Sequence, residues 1–199
     1  MSSPLLPLHT ENADSFRSRL AHALRALAGR GILLGGSSWK YPGWLGQIYT
    51  ESRYLTRGKF SRKKFDADCL AEYAEVFPAV GADFSFYTFP PPEQWAKLFL
   101  PAPELRFGLK APEMVTVKRW PTHARYGARG GTGNDHFLDA GLMTNAFLEP
   151  LAPYLAQVGV VMLEFGTFSK GDFAEPRAFA EDLDHFLSAL PPAFRYAVE

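Results

Sequence analysis

Lys110, Glu164 and Glu199 each close a short run that reads as a β-strand, and together they are the residues of this chain best suited to reaction chemistry. A lysine with two carboxylates can run acid–base or glycosidic chemistry, hold a metal, or orient an anionic substrate. Lys110 is also of the type that attacks carbonyls to form a Schiff base. The same three residues can equally form a structural ion pair that plugs the end of a sheet. Asp83 and Tyr87 stand at the end of a fourth apolar run and would face the same mouth.

A second constellation follows the run Ile32-Leu33-Leu34. It reads Gly35-Gly36-Ser37-Ser38-Trp39-Lys40-Tyr41-Pro42-Gly43-Trp44, small residues giving way to large aromatics. The glycines let the backbone come close to another group, and Ser37 and Tyr41 offer hydroxyls. Trp39 adds a broad apolar face, so Ser37, Trp39 and Tyr41 are candidate ligand contacts. A strand-to-loop turn with aromatics capping the core would use the same residues.

The stretch from Lys118 to His136 is the longest irregular one. It interleaves Lys118, Arg119, Arg125 and Arg129 with Trp120, Tyr126 and four glycines, and it follows a strand, so it reads as a mobile lid over the mouth. Arg125 and Arg129 could clamp a phosphate or carboxylate through forked hydrogen bonds. No phosphate-binding glycine motif is present, and His123 and His136 lack metal-site spacing, so no metal and no cofactor is assigned.

The elements that must position these residues alternate. Strands are expected at 32–36, 80–86, 105–109, 159–164 and 194–199, with helices at 66–77, 92–99, 139–157 and 175–190. Asp66 is the expected cap of the first of these helices, and Pro150 and Pro153 should kink the third. A further helix after Asp14 carries Phe16, Leu20, Leu24 and Leu27, and residues 1–13 read as a loose arm. Strand–helix alternation implies an α/β fold with a parallel sheet, and in such folds chemistry gathers beyond the carboxyl ends of the strands. A closed eight-stranded (β/α) barrel takes about 250 residues, whereas this chain has 199, so an incomplete TIM-type barrel of about five parallel strands is expected. The domain division read from this is an arm and helix at 1–30 and a barrel domain at 31–199, with the natural protein expected to continue past Glu199.

Lys+Arg and Asp+Glu both number 21, so no overall field favours nucleic acid or an anionic membrane, and no apolar run reaches the length of a membrane span. The single Cys69 cannot make an internal disulfide and falls in a helical pattern, which suits a core thiol in a reducing, cytoplasmic compartment.

Four ordered motifs carry a resemblance. They are Gly35-Gly36-Ser37-Ser38-Trp39-Lys40-Tyr41 with Trp44; Tyr73-Ala74 with Phe77, Val80, Asp83-Phe84-Ser85-Phe86-Tyr87 and Pro90; Leu105 to Pro112 with Thr116; and Arg195 to Glu199. Together they resemble the YecE-like family, domain of unknown function 72, from about Ile32 onward. The resemblance implies a TIM-like barrel with polar positions around one pocket and implies no established activity. The family commonly has histidine where Val117 stands and Gln-Phe-Pro where Glu164-Phe165-Gly166 stands. The expected function is binding of a small polar or anionic molecule at the strand-end mouth, with hydrolysis or isomerisation as candidate reactions. The alternatives are a non-catalytic anion- or partner-binding module and, less favoured by the neutral charge, a nucleic-acid-processing enzyme.

Overall fold

The structure, a computed structural model, describes residues 13–199; the N-terminal residues read above as an arm lie outside the described residues, apart from Ala13. The chain forms two compact units, Met1–Ala79 and Val80–Glu199.

In the first unit, helix α1 (Ala13–Ala28) precedes a very short strand β1 (Gly35–Gly36). The expected strand at 32–36 shrinks to its two glycines, and Ile32, Leu33 and Leu34 are exposed. At Gly35 the approach is so close that a Cβ would lie 1.7 Å from the carbonyl oxygen of Ala79, so only glycine fits at that position. The Gly36 amide donates to the Tyr73 hydroxyl at 2.7 Å, which in turn donates to Ala79 O at 2.9 Å. A small hairpin, β2 (Leu55–Thr56) and β3 (Lys59–Phe60), leads into α2 (Arg62–Ala74). This helix starts a turn earlier than expected because Ser61 caps it, accepting from the Lys64 amide, while Asp66 pairs with Arg62 one turn before it. Phe65, Cys69 and Tyr73 of α2 are fully buried with Tyr49 and Tyr54.

The sheet of the second unit has the strand order β4-β5-β6-β7, with β4 at Ala79–Ala82, β5 at Arg106–Lys110, β6 at Val158–Leu163 and β7 at Tyr196–Val198. β5, β6 and β7 run parallel, with Lys110 opposite Met162 and Leu163 opposite Val198. The sheet stays open, an incomplete barrel. Parallel pairing puts register partners on one face, so alternate residues do different work. Phe107, Leu109, Val161 and Leu163 are fully buried, whereas Gly108, Lys110, Val160, Met162 and Glu164 are half-buried on the opposite face.

Helix α3 (Pro92–Phe99) covers the sealed face; Trp95 packs on Phe147 and Phe99 on Phe107, with ring centroids 5.7 and 4.9 Å apart. Proline at its first position supplies the helical φ without wasting an amide. The expected strand at 80–86 ends at Ala82, and residues 84–86 form a single 3-10 turn instead. Ser85 is responsible: it is fully buried, and its hydroxyl donates to Lys110 O at 2.7 Å, which turns the chain across the end of β5. The expected helix at 139–157 is divided into α5 (Ala140–Met143), a π-helical turn at Thr144–Leu148, α6 (Glu149–Leu151) and a 3-10 turn at Ala152–Tyr154. Pro150 and Pro153, which cannot donate to a helical ladder, stand in the last two segments. The remaining helices are α4 (Glu113–Thr116) and α7 (Pro176–Ala189).

Candidate functional site

Four polar residues follow or end consecutive strands of the second unit. Asp83 is the residue after β4, Lys110 the last of β5, Glu164 the residue after β6 and Glu199 the residue after β7. The ladder continues past the last of them, since Glu199 N donates to Leu163 O and Phe165 N to Glu199 O, both at 3.0 Å, which fixes the backbone on either side of Glu164.

The Lys110 ammonium donates a short hydrogen bond to Glu164 Oε2. Its Nζ stands 6.0 Å from the centre of the Phe86 ring. The hydrogen bond to Glu164 raises the Lys110 pKa above the ordinary lysine value; burial opposes this, and the charges of Glu164, Asp83 and Glu199 add to the rise. One cation thus answers three carboxylates. The lysine is held firmly protonated, which makes it a hydrogen-bond donor and a poor amine nucleophile at neutral pH.

From Phe86 the polar edge continues outward. Phe86 packs edge-on against Tyr87, which is 55% exposed, and the Arg125 guanidinium lies 4.4 Å from the Tyr87 ring centre. Arg125 is itself held at 2.6 Å by Glu113, which also accepts from the Tyr126 hydroxyl at 2.9 Å. Arg125 Nη2 also donates to the Tyr126 hydroxyl at 2.9 Å, and the side chain is partly exposed. Arg129 stacks on Trp120 at 4.6 Å and contributes to a separate part of the surface. In the first unit, Ser37 Oγ and the Tyr41 hydroxyl are 3.2 Å apart, the Lys40 ammonium lies 5.7 Å from the Trp39 ring, and Trp39 O accepts from the Tyr49 hydroxyl.

The segment read as a mobile lid is laced to itself. Trp120 N donates to Thr132 O at 2.9 Å, Gly131 N to Trp120 O at 2.8 Å and Asn134 N to Lys118 O at 3.0 Å, making a strap pinned by a buried Trp120. Asn134 Nδ2 ties the strap to Met114 O and Val117 O at 2.8 and 2.6 Å. His123 Nδ1 accepts from the Arg125 amide, and His136 pairs with Asp139 at 3.0 Å, so both histidines serve local structure. Among the described residues no three His, Cys, Asp or Glu side chains converge as a metal-binding set.

Residues 33–199 match the family model described as protein of unknown function DUF72. The chain belongs to the DUF72 family. Two crystal structures of a DUF72 family protein from Enterococcus faecalis V583, at 3.10 and 2.52 Å resolution, are similar to it at 23% and 25% identity, each with a TM-score of 0.42. The similarity covers 75% and 67% of this chain and 46% and 47% of those chains, so this DUF72 chain spans less than half the length of these solved relatives. No curated protein matches it. The YecE-like resemblance and the α/β fold class thus hold, and the family description assigns no activity. Among the described residues no helix is long and apolar enough to cross a membrane.

Three members of the polar edge escaped the sequence reading of this DUF72 chain: Ser85, Glu113 and Phe86 as a neighbour of Lys110. Ser85 lies inside a run of aromatics that mimics a strand, and Glu113 sits just after the Ala111-Pro112 break, where no periodicity marks it. The available signal was the Pro112-Glu113 pair, since proline followed by an acid opens a short helix, here α4.

Proposed function

We propose that the chain binds a small polar molecule at the carboxyl edge of β4 to β7 and moves protons on it through the Lys110–Glu164 pair. The observation that carries this reading is one protonated lysine hydrogen bonded to Glu164 and electrostatically coupled to Asp83 and Glu199. Three acids and one base leave the edge negative, which disfavours an anion at Lys110 itself and favours hydroxyl, carbonyl or amine groups. In this reading the ammonium stabilises developing negative charge on a substrate oxygen by hydrogen bonding, while a neighbouring carboxylate takes a proton from the substrate or from water and returns it to the product, so the net reaction is an isomerisation or a hydrolysis. Glu199 is assigned with Lys110 and Glu164 to the catalytic set, and Asp83 and Tyr87 to the ligand-binding set.

Arg125, paired with Glu113, braces the Tyr87 rim as a ligand-binding contact, and Arg129, stacked on Trp120, is a ligand-binding contact of the strap. Ser37, Trp39 and Tyr41 form a polar and aromatic binding patch of the first unit. Residues 31–199 are taken as one family domain preceded by the arm and helix of 1–30, in the cytoplasm, where the lone buried Cys69 stays reduced.

The test is hydrogen exchange with solvent. The full chain is incubated in D2O with a panel of sugars, hydroxy acids and small amines, and mass spectrometry reads deuterium incorporation or hydrolysis. Turnover abolished by both Lys110→Met and Glu164→Gln supports the reading. Binding without exchange would favour a non-catalytic binding module, and turnover unaffected by either variant would remove the pair from the chemistry.

A further inference from the structure

We propose that the second unit carries an oxyanion-binding cleft away from the Lys110–Glu164 pair, with Thr116, Lys118 and Arg119 as its polar contacts. The cleft has a volume of about 410 Å3, and its walls include these three residues with Trp120, Phe168 and Asp172; neither Lys110 nor Glu164 lines it.

Thr116 supplies the first observation. It is fully buried in the last position of α4, yet its Oγ1 has no hydrogen-bond partner. A helical threonine ordinarily satisfies its hydroxyl by bonding back to a carbonyl one turn earlier. A buried hydroxyl left unpaired costs stability, and its persistence beside a cleft points to a partner that arrives from outside.

Charge supplies the second. Asp172, with a side chain only 8% exposed, is fully accounted for: Oδ1 accepts from Arg119 Nε at 3.1 Å, and Oδ2 accepts from Ser169 N and Oγ at 2.9 and 2.6 Å. The Arg119–Asp172 pair is therefore neutral, while Arg119 Nη1 donates to Gly131 O and the guanidinium remains half exposed. Lys118 is left as the excess charge. Its ammonium lies 3.7 Å from the Phe173 ring centre and 4.9 Å from that of Phe137, and among the described residues no carboxylate is within ion-pair distance of it. Aromatic faces hold the ammonium without neutralising it.

A site with one uncompensated positive charge, an unpaired hydroxyl and an apolar wall of Trp120 and Phe168 fits a small organic molecule bearing a carboxylate or phosphate. The proposal does not depend on the role given to Lys110. Titration of the full chain with benzoate, phenyl phosphate and benzyl alcohol, followed by calorimetry, shares one apolar body among two oxyanions and a neutral control. Binding of either anion at millimolar concentration, with benzyl alcohol at least tenfold weaker, is the expected result, and the tighter anion identifies the headgroup. Thr116→Val, which swaps the hydroxyl for a methyl, should weaken that binding by about tenfold while the melting temperature stays level or rises. Lys118→Met should weaken it by a similar factor, and Lys110→Met should leave it intact. The proposal is overturned if neither anion binds, if the alcohol binds as well as the anions, or if Thr116→Val binds like the parent. It is equally overturned if Thr116→Val lowers the melting temperature, since the hydroxyl then has an internal partner, or if Lys110→Met abolishes binding, since the anion then sits at the strand ends.

Discussion

Replacing Lys110 by Met, Glu164 by Gln, and both together separates a chemical pair from a structural plug. The side chains are 21% and 37% exposed, so solvent screens their attraction. A charge-assisted hydrogen bond is worth about 1.5–3 kcal/mol when dry, and screening at this exposure brings the coupling in the cycle down to about 1 kcal/mol. The single substitutions should be unequal. Lys110→Met leaves Glu164, Asp83 and Glu199 without their shared cation and should cost about 2 kcal/mol, whereas Glu164→Gln leaves Lys110 two other carboxylates and should cost about 1 kcal/mol. The pH dependence has a defined sign. The Lys110 pKa is raised in the folded state, so its contribution is complete below the unfolded lysine value near about 10.4 and is lost as pH rises through the folded value. Parent and Lys110→Met should therefore converge in strongly alkaline solution; the buried tyrosines titrate there in both proteins and cancel in the difference. Urea denaturation at low salt, at neutral and alkaline pH, measures all of this. Equal costs for the two single variants, or a coupling above about 3 kcal/mol, would refute the reasoning and mark a buried structural bridge.

Three other outcomes follow from the first unit. Gly35→Ala should cost about 3 kcal/mol in a urea melt, and more than Gly36→Ala, because its Cβ would meet Ala79 O at 1.7 Å whereas that of Gly36 would meet Ser38 O at 2.9 Å. Glu72→Gln should cost about 3 kcal/mol at neutral pH, since the buried carboxylate accepts from Thr50 N, Thr50 Oγ1 and Tyr54 OH. Burial pushes the Glu72 pKa up, but those hydrogen bonds and Arg53 hold it below the usual glutamate value; the stability it adds is present above the unfolded value and lost as pH falls through the folded one, so acid denaturation should bring the two proteins together. Burial pushes the Cys69 thiol up to about 11, so Ellman's reagent at pH 8 should leave it unmodified until urea unfolds the chain.

Local chemistry explains which elements could be read in advance. Helix α3 coincides with the expected 92–99 because Pro92 opens it and Trp95, Leu98 and Phe99 recur on one face. β5 and β6 fall within a residue of expectation since Phe107, Leu109, Val161 and Leu163 alternate. The juxtaposition of Lys110 with Glu164, 54 residues apart, was readable because both end strands, and parallel strands bring their ends to one edge. What failed was decided by partners the pattern does not encode. Ile32 to Leu34 have every propensity for a strand, yet the strand is confined to Gly35 and Gly36, where Ala79 comes close enough to admit glycine alone. Arg125 takes Glu113 as a partner that no local pattern marks, and the glycine-rich strap, with the composition of a loose loop, is tied by Trp120 and Asn134.

The alternation along β5 and β6 has an evolutionary consequence. Phe107, Leu109, Val161 and Leu163 hold the sheet to its helices, while Lys110, Met162 and Glu164, interleaved with them, meet the open side. Drift among the interleaved positions leaves the interior unaltered, and drift among the buried ones leaves the reactive edge unaltered, provided no residue is gained or lost between Val161 and Glu164. Such a strand can exchange one chemistry for another by substitution alone, but a single insertion there would exchange the two faces at once.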